Sequence, residues 1–202
     1  MGTSGYSSCC INPLWRDLME ISQEQKEKLE QIYQSFLHDE KIMRMKDIPM
    51  HRGSSCYMHS FKVAKHAIRR ALRSRRKNIS LEVILIGAIL HDYYLYDWRK
   101  DRSKLKGHAK KHSKVAAENA LRDYDISPEI KKVIESHMWP FNFKNYPNTY
   151  EAKIVNTSDT AVAFREALTT SKHKEKHNES YISYISKPSN AVLACSRCSF
   201  KT

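Results

Sequence analysis

His59, His91, Asp92, His112, His137 and Asp159 are the side chains whose types and spacing point to chemistry in this chain. Imidazole nitrogen and carboxylate oxygen are the donors that borderline and hard divalent cations select. The adjacent pair His91-Asp92 is the sharpest element. Neighbours on a helix point about 100° apart, so such a pair can grip one ion from two sides or let its carboxylate bridge two. Asp92 also ends the run LEVILIGAILHD, and an ionised carboxylate buried behind so apolar a stretch needs a compensating cation. The plain alternative is a His and an Asp emerging into solvent at a helix end, and the dipeptide alone does not separate the two.

The elements that must position these groups all read as helices, so the fold class is all-α, a single-domain helical bundle. Leu14, Leu18, Ile21, Leu29, Ile32 and Phe36 recur at helical spacing, interrupted at Ser22, which is suited to cap EQKEKLEQIYQSFL. KDIPMHRGSSC, with Pro49 and Gly53, reads as a loop. Ser54 or Ser55 then caps a helix running to about Arg75, with His59 in its first turns. Ser80 caps LEVILIGAILHD, and Glu82 occupies the first turn, where the helix dipole favours an acid. DRSKLKGHAKK reads as a loop, followed by the helix HSKVAAENALRDY, with His112 at its start and Val115, Ala116, Ala120 and Leu121 on one face. Ser127-Pro128 opens EIKKVIESHM, which His137 closes. WPFNFKNYPNT reads as a loop, and YEAKIVNTSDTAVAFREAL as a last helix with Asp159 midway. Helix ends of this kind bring residues distant in sequence to one point inside a bundle.

Taken together, CYMHSFKVA, ILIGAILHDYYLYDW, HSKVAAENA, VIESHMWP and KIVNTSDTAVAFRE resemble the HD superfamily of metal-dependent phosphohydrolases. The resemblance covers residues 47–168, and the family order His…His-Asp…Asp falls on His59, His91-Asp92 and Asp159. It implies a divalent ion, one or two per chain (iron, manganese, nickel, zinc or magnesium), that acidifies a water molecule for attack on phosphorus. Members with two further histidines, as His112 and His137 would be here, hold two ions; the alternative for these residues is helix capping or phosphate contact. After the pair the chain reads YYLYDW, without the Ile-Gly-Lys continuation of many signalling members or the Gly-Tyr-Pro motif of cyclic-dinucleotide phosphodiesterases. Cyclic di-GMP is therefore a poor candidate substrate. Asp97 is a candidate general base beside Asp92, or equally a helix cap. Lys62, Arg99, Lys100 and His108 are candidate substrate-binding residues. His51 could also reach a phosphate, whereas His66, on a very basic helix, reads as structural; His38, His173 and His177 have no supporting context.

The formal charge is +13. Positive residues concentrate between Lys62 and Lys77 and again between Arg99 and Lys114, a field that attracts phosphate groups. A small phosphorylated substrate, first of all a nucleotide, is expected. The rival reading is a regulatory module of the same fold that binds nucleotide or nucleic acid around a structural metal; a helical adaptor with accidental histidines is the third. Residues 1–12 are expected to be disordered, 13–185 to form the domain, and 186–202 to form a weakly ordered basic tail. The start lacks a secretory signal and no apolar run spans a bilayer, so a cytoplasmic protein without membrane association is expected. Five cysteines without such a signal favour reduced thiols, and Cys195-x-x-Cys198 is half of a zinc site at best.

Overall fold

The computed structural model describes residues 21–50, 53–74, 76–97, 100 and 107–168. Among these are seven α-helices, one short 3-10 turn and no strand, which makes the class all-α. The cysteine motif at Cys195 and Cys198, the 1–12 segment, the 186–202 tail, His51, Arg99, His173 and His177 lie outside the described residues. No helix among the described residues is long and apolar enough to cross a membrane.

Helix α1 (Gln23–Leu37) starts at Ser22, whose hydroxyl accepts from the Gln25 amide while the Gln25 side chain accepts from the Ser22 amide. That reciprocal capping box satisfies two of the amides that a helix start leaves unpaired. A short α2 (Glu40–Met43), capped by Asp39, runs into a 3-10 turn at Arg44–Asp47; sequence patterning did not separate these. The loop that follows turns at Gly53, whose φ of +89° is a conformation that favours glycine. Ser55 then caps α3 (Cys56–Arg73) by accepting from the Met58 amide, and Ser80 does the same for α4 (Leu81–Leu90) through Val83. These two starts, and that of α6 (Pro128–Ser136) at Ser127, fall where the sequence places them.

Helix α5 (His108–Tyr124) begins one turn earlier than expected, after Gly107 at φ +83°. His112 therefore sits inside the helix and not at its opening. Its buried stripe also differs from the expected one: Ala116, Ala117 and Ala120 are buried, Val115 is partly buried and Leu121 is 41% exposed. The alanines are small enough to let α5 approach its neighbours closely, and Leu121 lies about 100° further round the helix from Ala120. Helix α7 (Tyr150–Leu168) closes the bundle.

At the centre lies α4. It packs against α1, α3, α5, α6 and α7, and Ile84, Leu85, Ala88, Ile89 and Leu90 are fully buried. A helix surrounded on every side is apolar all round, which is why its sequence shows no polar face. Its approach to α6 depends on Gly87, where an added Cβ would meet Val133 Cγ1 at 2.7 Å. Burial of α4 holds its C-terminal end, and with it His91-Asp92, rigidly among the other helices.

Gly87→Ala is expected to destabilise the protein, because overpacking costs about 1–3 kcal/mol while the helix-propensity gain of alanine over glycine is only about 1 kcal/mol. Adding Val133→Ala should recover part of that loss, so the two changes couple in a urea-denaturation cycle. Strictly additive effects would show that the two helices do not meet at this point.

Candidate metal centre

His59 lies one turn into α3, His91 is the C-cap of α4 with Asp92 next to it, His112 is one turn into α5, His137 is the C-cap of α6, and Asp159 is midway along α7. Five helices thus deliver six groups, and all six converge. The four imidazoles and Asp92 are buried. His59, His91 and Asp159 form one group, and His91, Asp92 and His137 another, with the ligand atoms of each group all within 4.8 Å of one another. His112 joins the second group through contacts of 3.3 Å to Asp92 Oδ1 and 3.0 Å to His137 Nε2.

The backbone determines which ring nitrogen faces inward. His91 Nδ1 is 2.8 Å from the Ala88 carbonyl, His112 Nδ1 is 3.0 Å from the His108 carbonyl, and His137 Nδ1 is 2.7 Å from the Ile134 carbonyl. A carbonyl only accepts, so each Nδ1 carries the hydrogen and Nε2 is the nitrogen that faces the centre, bare in the neutral ring and a donor in the imidazolium. His112 Nε2 and His137 Nε2 consequently face each other at 3.0 Å, a contact that is favourable only with a proton or a cation between them. The buried His91 Nε2 has no hydrogen-bond partner, although Asp92 Oδ2 lies 3.3 Å and Asp159 Oδ1 3.7 Å away. Lone pairs and carboxylate oxygens crowded together out of water are stable only around positive charge. The donor set, three such imidazoles plus His59 and two carboxylates, fits one or two divalent cations of the nitrogen-accepting kind.

The two carboxylates differ in their geometry. Asp92 turns Oδ2 toward His91 and Oδ1 toward His112 and, at 3.6 Å, His137. One carboxylate facing two sets of imidazoles has the disposition of a bridging ligand. Burial alone would raise its pKa, but His91, His112 and His137 outweigh burial and hold it well below the usual carboxylate range. Asp159 Oδ1 is 2.9 Å from His59 Nε2, and the imidazoles lower its pKa against the effect of burial. Burial pulls His59 down, yet Asp159 and Glu166 reverse this and raise it to about 10. Without a metal, then, His59 is an imidazolium, and a metal would take the place of its Nε2 proton.

The other sequence candidates are distributed unevenly. Lys62 is on the same side of α3 as His59, but its ammonium is 2.9 Å from Glu166 Oε1 and is engaged there. Asp97 pairs with the exposed Lys100 at 3.8 Å. His108 stacks on His112, ring centroids 4.7 Å apart, and its Nδ1 is 2.9 Å from the Tyr96 hydroxyl. His66, half-buried, is held below its ordinary pKa by burial and by Arg165, Arg70, Arg69 and Arg73.

Sequence reasoning missed three participants. Glu166 was legible, because it follows Asp159 by seven residues, two helical turns, and so shares its face of α7. The Cys56 thiol, buried one turn before His59, donates to the Asp92 carbonyl at 3.1 Å and ties the start of α3 to the His91-Asp92 turn. Asn156 holds the exit of α6 by donating to the His137 and Trp139 carbonyls at 2.6 and 2.8 Å. Neither of these long-range contacts has a local sequence signature.

A family model of the HD domain matches residues 56–163, a little over half of the chain. No curated protein matches it, and no solved structure does.

His137→Ala is expected to lower the bound metal by one ion and turnover by orders of magnitude if His112, His137 and Asp92 hold a second ion. Elemental analysis and kinetics on the same preparation check this. Unchanged values of both would remove His137 from the centre.

Proposed function

The chain belongs to the HD-domain family, a superfamily of metal-dependent phosphohydrolases, and from that premise we propose that it hydrolyses a phosphoester of a small nucleotide-like substrate. The observation that carries this reading is the inward convergence of imidazole Nε2 atoms on the buried Asp92 and the partly buried Asp159. His59, His91, Asp92 and Asp159 would hold one divalent ion, and Asp92, His112 and His137 a second. A bound ion of this kind supplies the acidification of water and the neutralisation of charge on a phosphoryl oxygen that hydrolysis requires.

The protein's own groups do the rest. The helix-end carbonyls hold three rings in the tautomer that leaves Nε2 free to coordinate. Asp92, held ionised by its imidazoles, keeps its negative charge throughout the working pH range and stays available as a ligand. His108, oriented by Tyr96 and stacked on His112, is the candidate contact for a substrate phosphate, with Arg99 and Lys100 as further candidates from the sequence. Asp97 remains a candidate base, reached through a water molecule if it acts. The basic stretches on α3 and between Arg99 and Lys114 favour a multiply charged substrate over a neutral one.

The purified protein is expected to carry one or two transition-metal ions per chain, and Asp92→Ala to remove both metal and hydrolysis with helical content kept, as read by elemental analysis and circular dichroism. Metal-free protein that takes up none on incubation would sink the assignment.

Nucleotides, cyclic nucleotides and short oligonucleotides assayed with manganese at two salt concentrations test the substrate class. Release of phosphate from small nucleotides, falling as salt rises, is expected. Tight oligonucleotide binding with a steep logarithmic salt slope and no hydrolysis would instead establish a regulatory binding module.

A further inference from the structure

We propose that Glu166 is the positioning residue of this centre, holding His59 in the tautomer and orientation that present its Nε2 to the metal. The inference rests on the metal-centre reading above. His59 is the exception among the four imidazoles. The other three are oriented by backbone carbonyls of their own helices, whereas His59 Nδ1 faces a side chain from another helix, Glu166 Oε2 of α7, at 2.9 Å.

The carboxylate is itself held. Its second oxygen, Oε1, accepts from the Lys62 ammonium at 2.9 Å and from the Ser54 hydroxyl at 3.0 Å. Two donors on Oε1 fix the plane of the carboxylate and leave Oε2 for the imidazole. Glu166 is 6% exposed, Ser54 4% and His59 fully buried, so water does not compete for these contacts. Lys62 and Ser54 both donate to Oε1, the arrangement of a carboxylate, whose Oε2 can only accept. Nδ1 therefore donates, and Nε2 carries the coordinating lone pair.

Along α7 the arrangement is economical. Asp159 reaches the metal side of the His59 ring, Nε2, and Glu166, two turns later, reaches the far side, Nδ1. One helix face thus supplies a ligand and the group that orients its neighbour. Carboxylates in this position raise the basicity of a ligating imidazole, and their loss costs roughly 10–100-fold in metal affinity. Lys62, a candidate substrate contact by sequence, has a different task here: it neutralises the buried Glu166 and locks its geometry.

The full-length protein, stripped of metal, is titrated with cobalt(II) as wild type and as Glu166→Gln, recording affinity and the visible ligand-field spectrum, with thermal unfolding of both metal-free proteins alongside. Glutamine keeps the shape but not the charge, and its amide can turn a donor toward Nδ1. Affinity is expected to fall about 10–100-fold, with a shifted spectrum, while the metal-free variant still unfolds cooperatively. Equal affinity and spectrum overturn the proposal. Weaker binding with an unchanged spectrum is what general loosening gives, and it overturns the proposal too. Should Glu166→Gln fail to fold, Ser54→Ala removes one of the two donors on Oε1 and is expected to weaken cobalt binding by a smaller factor with the same spectral shift; no change in either overturns it. Wild-type protein that binds no cobalt at all overturns the metal-centre reading itself, a result distinct from any behaviour of the variants.

Discussion

Imidazole lone pairs forced together inside a helical bundle, beside two carboxylates and out of contact with water, are the constraint that the rest of this structure serves. His112 and His137 face each other at 3.0 Å through nitrogens of the same kind, and His91 Nε2 has no hydrogen-bond partner. In water such groups would separate. Here α4, enclosed by five other helices, holds them in place, and the free energy that does so comes from apolar burial elsewhere in the core. Residues Ile84 to Leu90 matter to the site because they keep its central pair from moving away from the charge it faces. Fold and site are in this sense one object: the core supplies the force that the site resists.

The orientation of the rings follows from where helices end. The last carbonyls of a helix have no amide partner within it, and His91 and His137, as the C-caps of α4 and α6, turn Nδ1 back onto Ala88 and Ile134. A histidine at such a position gives a carbonyl of its own last turn a side-chain donor and, in the same bond, points its other nitrogen away from its own helix. His112 achieves this inside α5 by bonding the carbonyl one turn earlier. His59, about as deep in α3 as His112 in α5, takes a carboxylate from α7 for the same purpose. Three of the rings thus have local partners and His59 a distant one.

That difference also explains what could be read from the chain alone. The serine caps at Ser22, Ser55, Ser80 and Ser127 depend on residues three positions away, and they were legible. The all-α class and the convergence of His59, His91-Asp92, His112, His137 and Asp159 were legible because helix ends and a family pattern agree on them. The start of α5 was misjudged: Gly107 in a left-handed conformation begins the helix before the polar HAKK stretch, where side-chain pattern gives no warning. Lys62 was legible as a cation near His59, but its partner lies 104 positions further on, and only the packing of α3 on α7 brings them together. Cys56 on the Asp92 carbonyl is of the same kind. Local chemistry was readable, and contacts closed by tertiary packing were not.

Charge balance connects these parts. Asp92, Asp159 and Glu166 bring three negative charges and Lys62 one positive charge to the buried network, a formal sum of −2 with neutral imidazoles. Without metal, protons on imidazole reduce this sum, as the raised pKa of His59 illustrates. One divalent ion would replace those protons and bring the centre to neutrality. A second, between Asp92, His112 and His137, would leave it at +2, a charge that an incoming phosphate dianion would cancel. Lys62 matters to this balance through its ion pair with Glu166: without its charge the sum would be −3, and two ions would leave only +1 to meet the substrate. The pairing with Glu166 thus keeps the positive charge of Lys62 within the balance that a phosphate would meet, while its ammonium is committed to holding the carboxylate.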